Sequence, residues 1–483
     1  MKRPVRMWLA LLLLAACRGP AATPGPLAAT PAAPTPQASA TASPSAAPSP
    51  TYRAPVPAVR PQYRLIATLD FAAHYLAVSQ EIRYTNNQAL PLDMIPLVVP
   101  VADELITITS IEYDRGTDWS YHGRAQGGSA ELLLARPLLP GEVLHIEIDY
   151  AIAVPERPTL LGWTARQMTF IDWYPFIPPY LAERGWVINE PTPQGEYLVY
   201  ESADFDVSLY TVHPPALLQI AAPAPETRRE GGWHYQLAHA RRFVWAASGH
   251  YQAETLRAGE GNIPVTVYYF EEERAAAQAA VRTAAKALEI YERLFGTYPY
   301  EHLVLVECIF PDGMESDGMF FLDMGYFKSY DGTPRNLLTT LSAHETAHNW
   351  WFGAVGNDAA HEAWLDEALA TYAELLYYQE AHPNAQDWWW QFRVEQWEPQ
   401  GRVGRSAYEL EGFRPYVNAN YLRGAQFLHA VRQRIGDEAF LDFLQAYATR
   451  YRGQLADGAS FLALLQASSG QALDEIINEY FGE

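Results

Sequence analysis

The sequence predicts a multidomain chain, an all-β N-terminal domain followed by a mainly helical α/β domain. Three observations carry that expectation. The hydrophobic period changes from two to that of a helix near residue 250, a leader and a long low-complexity stretch precede the first strands, and "LTTLSAHETAHNWWFG" sets two histidines one helical turn apart in an apolar pattern.

At the N-terminus, "MKRPVRMWLALLLLAACRGP" places Lys2, Arg3 and Arg6 ahead of a short apolar run, the form of a secretory signal. The run stops at Leu14-Ala15-Ala16-Cys17, which resembles a bacterial lipobox, so residues 1–17 are read as a lipoprotein signal peptide with Cys17 as the lipidation site. Residues 18–60 are almost wholly Ala, Pro, Ser and Thr, which cannot bury enough apolar surface to fold and are read as a disordered tether. The expected location is therefore outside the cytoplasm, membrane-anchored through lipid at a bacterial cell surface or in the periplasm. With Cys17 assigned to lipid, Cys308 is the only other cysteine and no disulfide is expected. A net charge of -22 with no basic tract argues against nucleic acid, and nothing in the sequence names a protein partner or an internal repeat.

Residues 61–247 read as the β domain. In "LAVSQEIRY", Leu76, Val78, Ile82 and Tyr84 alternate with polar positions, and in "LHIEIDY", Leu144, Ile146, Ile148 and Tyr150 do the same after a Pro140-Gly141 turn. Residues 248–483 read as the second domain. It opens with one more strand, "IPVTVYYF", and continues in the helical pattern "EEERAAAQAAVRTAAKALEIYERLFG", stopped by Gly296.

Thr333-Pro334 offer an N-cap and a first-turn proline and Gly353 a stop, so residues 337–352 read as one helix. On its buried stripe His344 and His348 need metal or hydrogen-bonding partners, since an unsatisfied polar atom in an apolar setting costs a few kcal/mol. One turn apart they can converge on one ion, with Glu345 beside them, and His344-Glu345-x-x-His348 is the zinc-peptidase pattern. Catalytic zinc takes a third protein ligand. The helix "WLDEALATYAELLYY" supplies Glu367, on a side expected to hold Trp364, Thr371, Glu374 and Tyr378 as well. His361 is the rival ligand, and Glu374 is placed to accept a hydrogen bond from a ligand imidazole. The run "DWWWQFRVEQW" reads as helix packing rather than a ligand platform, with Trp389, Arg393 and Trp397 on one side and Trp388 and Phe392 on another.

With eighteen residues between His348 and Glu367, "HETAHNWWFG...WLDEALATYAE" resembles the double-helix zinc site of the aminopeptidase N and leukotriene hydrolase family of zinc metallopeptidases, the gluzincins. "DGMES" resembles that family's G-x-M-E-N exopeptidase segment, and "YVNANYLRGAQFL" its catalytic tyrosine region. The resemblance covers residues 61–483, sharply in the second domain, and implies a saddle-like β sandwich followed by a thermolysin-like catalytic domain with one zinc ion. It implies Glu345 as general base, Tyr421 as donor to the oxyanion with Tyr416 as a second candidate, and Glu315 as the group that binds a peptide's α-ammonium. Gly313 and Met314 are expected to pair with substrate backbone. Ser316 departs from the family's asparagine, and no second amine-anchoring residue is identified in the first domain. The function implied is zinc aminopeptidase on peptide substrates. A zinc endopeptidase or epoxide-opening hydrolase on the same centre, or a non-catalytic surface binding protein, are the alternatives.

Overall fold

The period-two segments form strands whose alternate side chains are buried. Along Tyr75–Thr85, Leu76, Val78, Gln80, Ile82 and Tyr84 point inward, and the one polar member, Gln80, is satisfied by donating to the Pro175 carbonyl (2.7 Å) and accepting from the Tyr150 hydroxyl (3.2 Å). The structure, a computed structural model, describes residues 59–482, so the leader, Cys17 and the tether up to residue 58 lie outside the described residues.

The first domain is built on a seven-stranded sheet in the order Thr227–Arg229, Gly232–Ala240, Ala203–Val212, Gln62–Asp70, Tyr75–Thr85, Val143–Ala153, Ile106–Tyr113. All neighbours are antiparallel except Gln62–Asp70 and Ala203–Val212. A three-stranded sheet (Leu92–Val99, Gly128–Leu138, Trp119–His122) and a four-stranded sheet of short strands accompany it. The strand Tyr251–Ala258 begins a separate five-stranded sheet, which runs through Ile263–Phe270, Leu303–Cys308 and Met319–Asp323 to the edge strand Gly313–Ser316. Helices then cover it, led by Arg274–Phe295, which ends at Gly296 in a positive-φ conformation (φ 99°) that glycine adopts without strain.

The helix carrying the two histidines is shorter than its sequence suggests. It spans Leu337–Ala347, and its N-cap is Asn336, which accepts from the Thr339 amide (2.9 Å), while Thr333 instead forms a local turn with Asp331. At the other end His348 is the C-cap residue and the chain turns before Phe352, held at φ 135°. The turn brings the Trp351 carbonyl back to His348 Nδ1 (2.9 Å), a local contact that accompanies the end of the helix. The helix Trp364–Ala381 packs beside it. Trp364, expected on the Glu367 side, turns away into an aromatic cluster with Phe427, Phe461 and Phe481.

One buried side chain of the first domain ties this turn in place. Arg241 donates to the carbonyls of Tyr200 (3.0 Å), Gln454 (2.8 Å) and Phe352, and Gly356 lies so close that a Cβ there would meet Arg241 Cζ at 2.3 Å. Arg241→Ala removes a donor shared by three carbonyls from two domains. It is expected to cost about 3 kcal/mol, read as a lower denaturant midpoint with an unchanged slope.

Candidate metal centre and active site

His344 and His348 project from the last turn of their helix, and Glu367 projects from the first turn of the neighbouring helix. The His344 and His348 Nε2 atoms are 3.1 Å apart, and Glu367 Oε2 lies 3.3 Å from the first and 3.6 Å from the second. The opposite nitrogens fix the tautomers. His344 Nδ1 faces Glu374 Oε1 (2.8 Å) and His348 Nδ1 faces the Trp351 carbonyl, both acceptors, so each Nδ1 carries the proton and each Nε2 presents a lone pair. Two buried imidazole lone pairs and a carboxylate oxygen of the partly buried Glu367 therefore converge on one point. A divalent cation relieves that convergence, and the donor set of two imidazoles and one carboxylate is that of a catalytic zinc site. His361, the rival ligand, is not among these donors: its side chain is 42% exposed and bonds Asp358 (3.0 Å).

Glu374 is fully buried and accepts, besides His344, the indole N–H of Trp389 (2.8 Å) and the Arg393 guanidinium (3.0 Å). Burial pushes its carboxyl up, but Arg393 and His344 more than offset this and hold it below the ordinary range, so it stays an anion that orients the ring. The "DWWWQFRVEQW" segment thus has a double role. Trp388 stacks on Phe392 (4.7 Å) and Trp389 is buried as packing predicts, whereas Phe392, Arg393 and Trp397 line the cleft over the metal donors.

Glu345 is buried beside the donors, and its Oε2 has no hydrogen-bond partner among the described protein atoms. Burial raises its carboxyl to about 7 against the pull of His344 and His348, in the range suited to taking and returning a proton. Gly313 permits its position: a Cβ there would meet Glu345 Oε1 at 2.2 Å. Tyr421 lies in a π-helical turn, Asn418–Leu422, with its ring parallel to that of His344 (6.1 Å, 3°). Burial and the Glu367 charge hold its hydroxyl well above the ordinary value, as a donor. Tyr416 is buried against Gly195 and does not line the cleft.

Glu315, on the edge strand Gly313–Ser316, has a carboxylate oxygen within 4.8 Å of donor atoms of Glu345 and His348. Around it the first domain contributes three residues that sequence reasoning did not find. Arg242 pairs with Glu196 (2.9 Å), Asp172 (3.5 Å) and Glu315 (3.5 Å), so one guanidinium faces three carboxylates. Burial raises Glu196 to about 8, opposed by Arg242, and raises Asp172 in the same way. The cluster has room for a further positive charge. Glu196 sits in an irregular stretch fixed by Gln194, whose amide donates to the Ala407 (2.8 Å) and Leu410 (2.6 Å) carbonyls of the second domain. No periodicity marks such a residue in a single sequence. Together these groups line a cleft of about 510 Å³. A larger groove, about 850 Å³, on the seven-stranded sheet carries cross-strand charges such as Arg64 and Glu81 but none of these donors.

Residues 279–480 match the description "Peptidase family M1 domain". Among curated proteins, "Probable aminopeptidase 2" of Sulfurisphaera tokodaii is 26% identical over 221 residues, 42% of this chain and 28% of that protein. Aminopeptidase N of Lactobacillus delbrueckii subsp. lactis is 25% identical over 294 residues, 55% of this chain and 34% of that protein. The matches thus span about a third or less of those relatives' lengths. In fold, the chain is similar to the M1 zinc metallopeptidase of Deinococcus radiodurans, with a TM-score of 0.61 at 20% identity, covering 88% of this chain and 94% of that one.

Because Glu374 sets the His344 tautomer, Glu374→Gln is expected to weaken metal binding by about 10- to 100-fold, measured by competition with a chelator of known affinity.

Proposed function

Taking the chain as a member of peptidase family M1, we propose that it is a zinc-dependent aminopeptidase that removes N-terminal residues from peptides. The observation that carries this reading is the carboxylate cluster of Glu315, Glu196 and Asp172 around Arg242, next to a two-histidine, one-glutamate donor set.

His344, His348 and Glu367 would hold the zinc, which when bound supplies a Lewis acid that polarises the scissile carbonyl and acidifies water. Glu345 accepts the proton of the attacking water at its unpartnered carboxylate oxygen and delivers it to the departing amine. Tyr421 donates its O–H to the oxygen that gains charge as the carbonyl carbon becomes tetrahedral. Glu315 and Glu196 hold the α-ammonium, and the edge strand at Gly313 and Met314 pairs with substrate backbone. A carboxylate within 4.8 Å of the base and a metal donor leaves room for one residue before the scissile bond, which favours exopeptidase over endopeptidase or epoxide chemistry. The leader supports secretion, and Cys17 a lipid anchor holding the enzyme at a membrane through the tether; loss of acyl labelling in Cys17→Ser tests this.

Chelation is expected to abolish hydrolysis of aminoacyl p-nitroanilides and zinc to restore it, while N-acetylated substrates are not cleaved; equal rates on acetylated and free substrates would sink the aminopeptidase reading. Glu345→Gln should keep one metal per chain by elemental analysis and lose about 10²- to 10⁴-fold in kcat. The raised Glu196 carboxyl gives a pH signature. Below about 8 it takes up a proton and loses attraction for an ammonium, so KM rises as pH falls through that value, and Glu196→Gln removes this limb of the profile.

A further inference from the structure

On one wall of the cleft stands a cation with no acid to meet. Arg414, in the short helix Phe413–Val417, lies over the Trp397 ring (4.0 Å) and lines the same cleft as Arg393 and Tyr421. None of the acids that line the cleft or adjoin it pairs with Arg414: Glu367 faces His344 and His348, and Glu345 lies beside those donors with one carboxylate oxygen unpartnered among the described protein atoms. Glu196, Asp172 and Glu315 surround Arg242, Glu374 binds Arg393 and His344, and Asp312 accepts from the Tyr326 hydroxyl (3.0 Å). Among the described residues Arg414 forms no ion pair and no hydrogen bond through its side chain.

The surroundings add to this. Arg393 already carries positive charge beside Arg414, and partial burial with that neighbouring charge holds the Arg414 guanidinium below its ordinary value. Two guanidiniums drawn together with only one committed to a carboxylate repel each other, and an incoming anion reverses the sign of that interaction. The Trp397 ring covers one side of the guanidinium group, whose N–H groups have no partner among the described residues and are left for pairing with a carboxylate. The rim is also apolar: Trp397 and Phe413, exposed by 36% and 54%, are among the large hydrophobic side chains left open to solvent. A planar cation framed by two exposed aromatic rings suits a peptide terminus, whose carboxylate and apolar flank are met together.

We propose that Arg414, stacked on Trp397, is a carboxylate subsite that receives the C-terminal carboxylate of a short peptide whose amino end is held at Glu315. This rests on the aminopeptidase reading and adds a substrate class to it: short peptides with both ends free, anchored by opposite charges on either side of the scissile bond. Tyr421 follows Arg414 in the same helical segment, so the group that would meet the oxyanion and the group that would meet the carboxylate are set by one piece of backbone.

Calorimetry on the full chain in the Glu345→Gln background, loaded with zinc, tests this without turnover. Leu-Gly-Gly is expected to bind about tenfold tighter than Leu-Gly-Gly-amide, the scale of one charge-assisted hydrogen-bonded contact, and adding Arg414→Ala should bring the ratio to about one. Because each ratio is taken within one protein, a general loss of affinity cancels. Leu-Asp-Gly-amide is the third probe. If it binds as tightly as the free acid and loses that on Arg414→Ala, the subsite stands and also accepts a side-chain carboxylate. Equal binding of acid and amide while Arg414 is present, or a tenfold ratio that survives its removal, overturns the proposal. Equal cleavage of acetylated substrates by the unaltered enzyme would remove the aminopeptidase reading and leave these binding ratios as they are.

Discussion

Two imidazole lone pairs held 3.1 Å apart are the constraint on which the rest of the site depends. Neutral acceptors repel at that distance, and the arrangement persists because each ring is held from behind, one by the Glu374 carboxylate and the other by the Trp351 carbonyl. Those supports have supports of their own. Glu374 is fixed by Trp389 and Arg393, and the turn that presents Trp351 continues into Phe352, whose carbonyl is held by Arg241. The chain of contacts runs from the metal donors to the first domain without leaving the buried interior.

The two domains therefore divide the work by chemistry. The second domain supplies the convergent donors and the residues proposed as base and oxyanion donor, Glu345 and Tyr421, and the first domain supplies much of the charge around Glu315. Arg242 is informative here. Three acids drawn together without a cation would be costly to bury; the internal guanidinium of Arg242 offsets part of their charge and leaves the cluster negative.

Much of the centre was legible in the sequence because it obeys local rules. Spacing of four residues puts His344 and His348 on one face, and a short connection between two helices brings Glu367 and Glu374 to the same gap. The strands of the first domain were legible for the same reason, since alternation survives wherever one face of a sheet is buried. What was not legible is which of several competing contacts each side chain makes. The pattern ran on to Phe352, but the helix stops at Ala347, where His348 bonds the Trp351 carbonyl. Asn336 outcompetes Thr333 as the cap because Thr333 is engaged by Asp331. Glu196 lies in an irregular loop whose course is set by Gln194 binding carbonyls more than two hundred positions away, a relation with no trace in local pattern.

Gly313 has a consequence for how such an enzyme can change. Its missing side chain makes way for the carboxylate of Glu345, while its own strand is the edge strand proposed to pair with substrate backbone. Selectivity and rate share a single atom's worth of space there. Libraries that diversify the strand to alter which residue is removed will find that any side chain at this position displaces the Glu345 carboxylate from where it now lies.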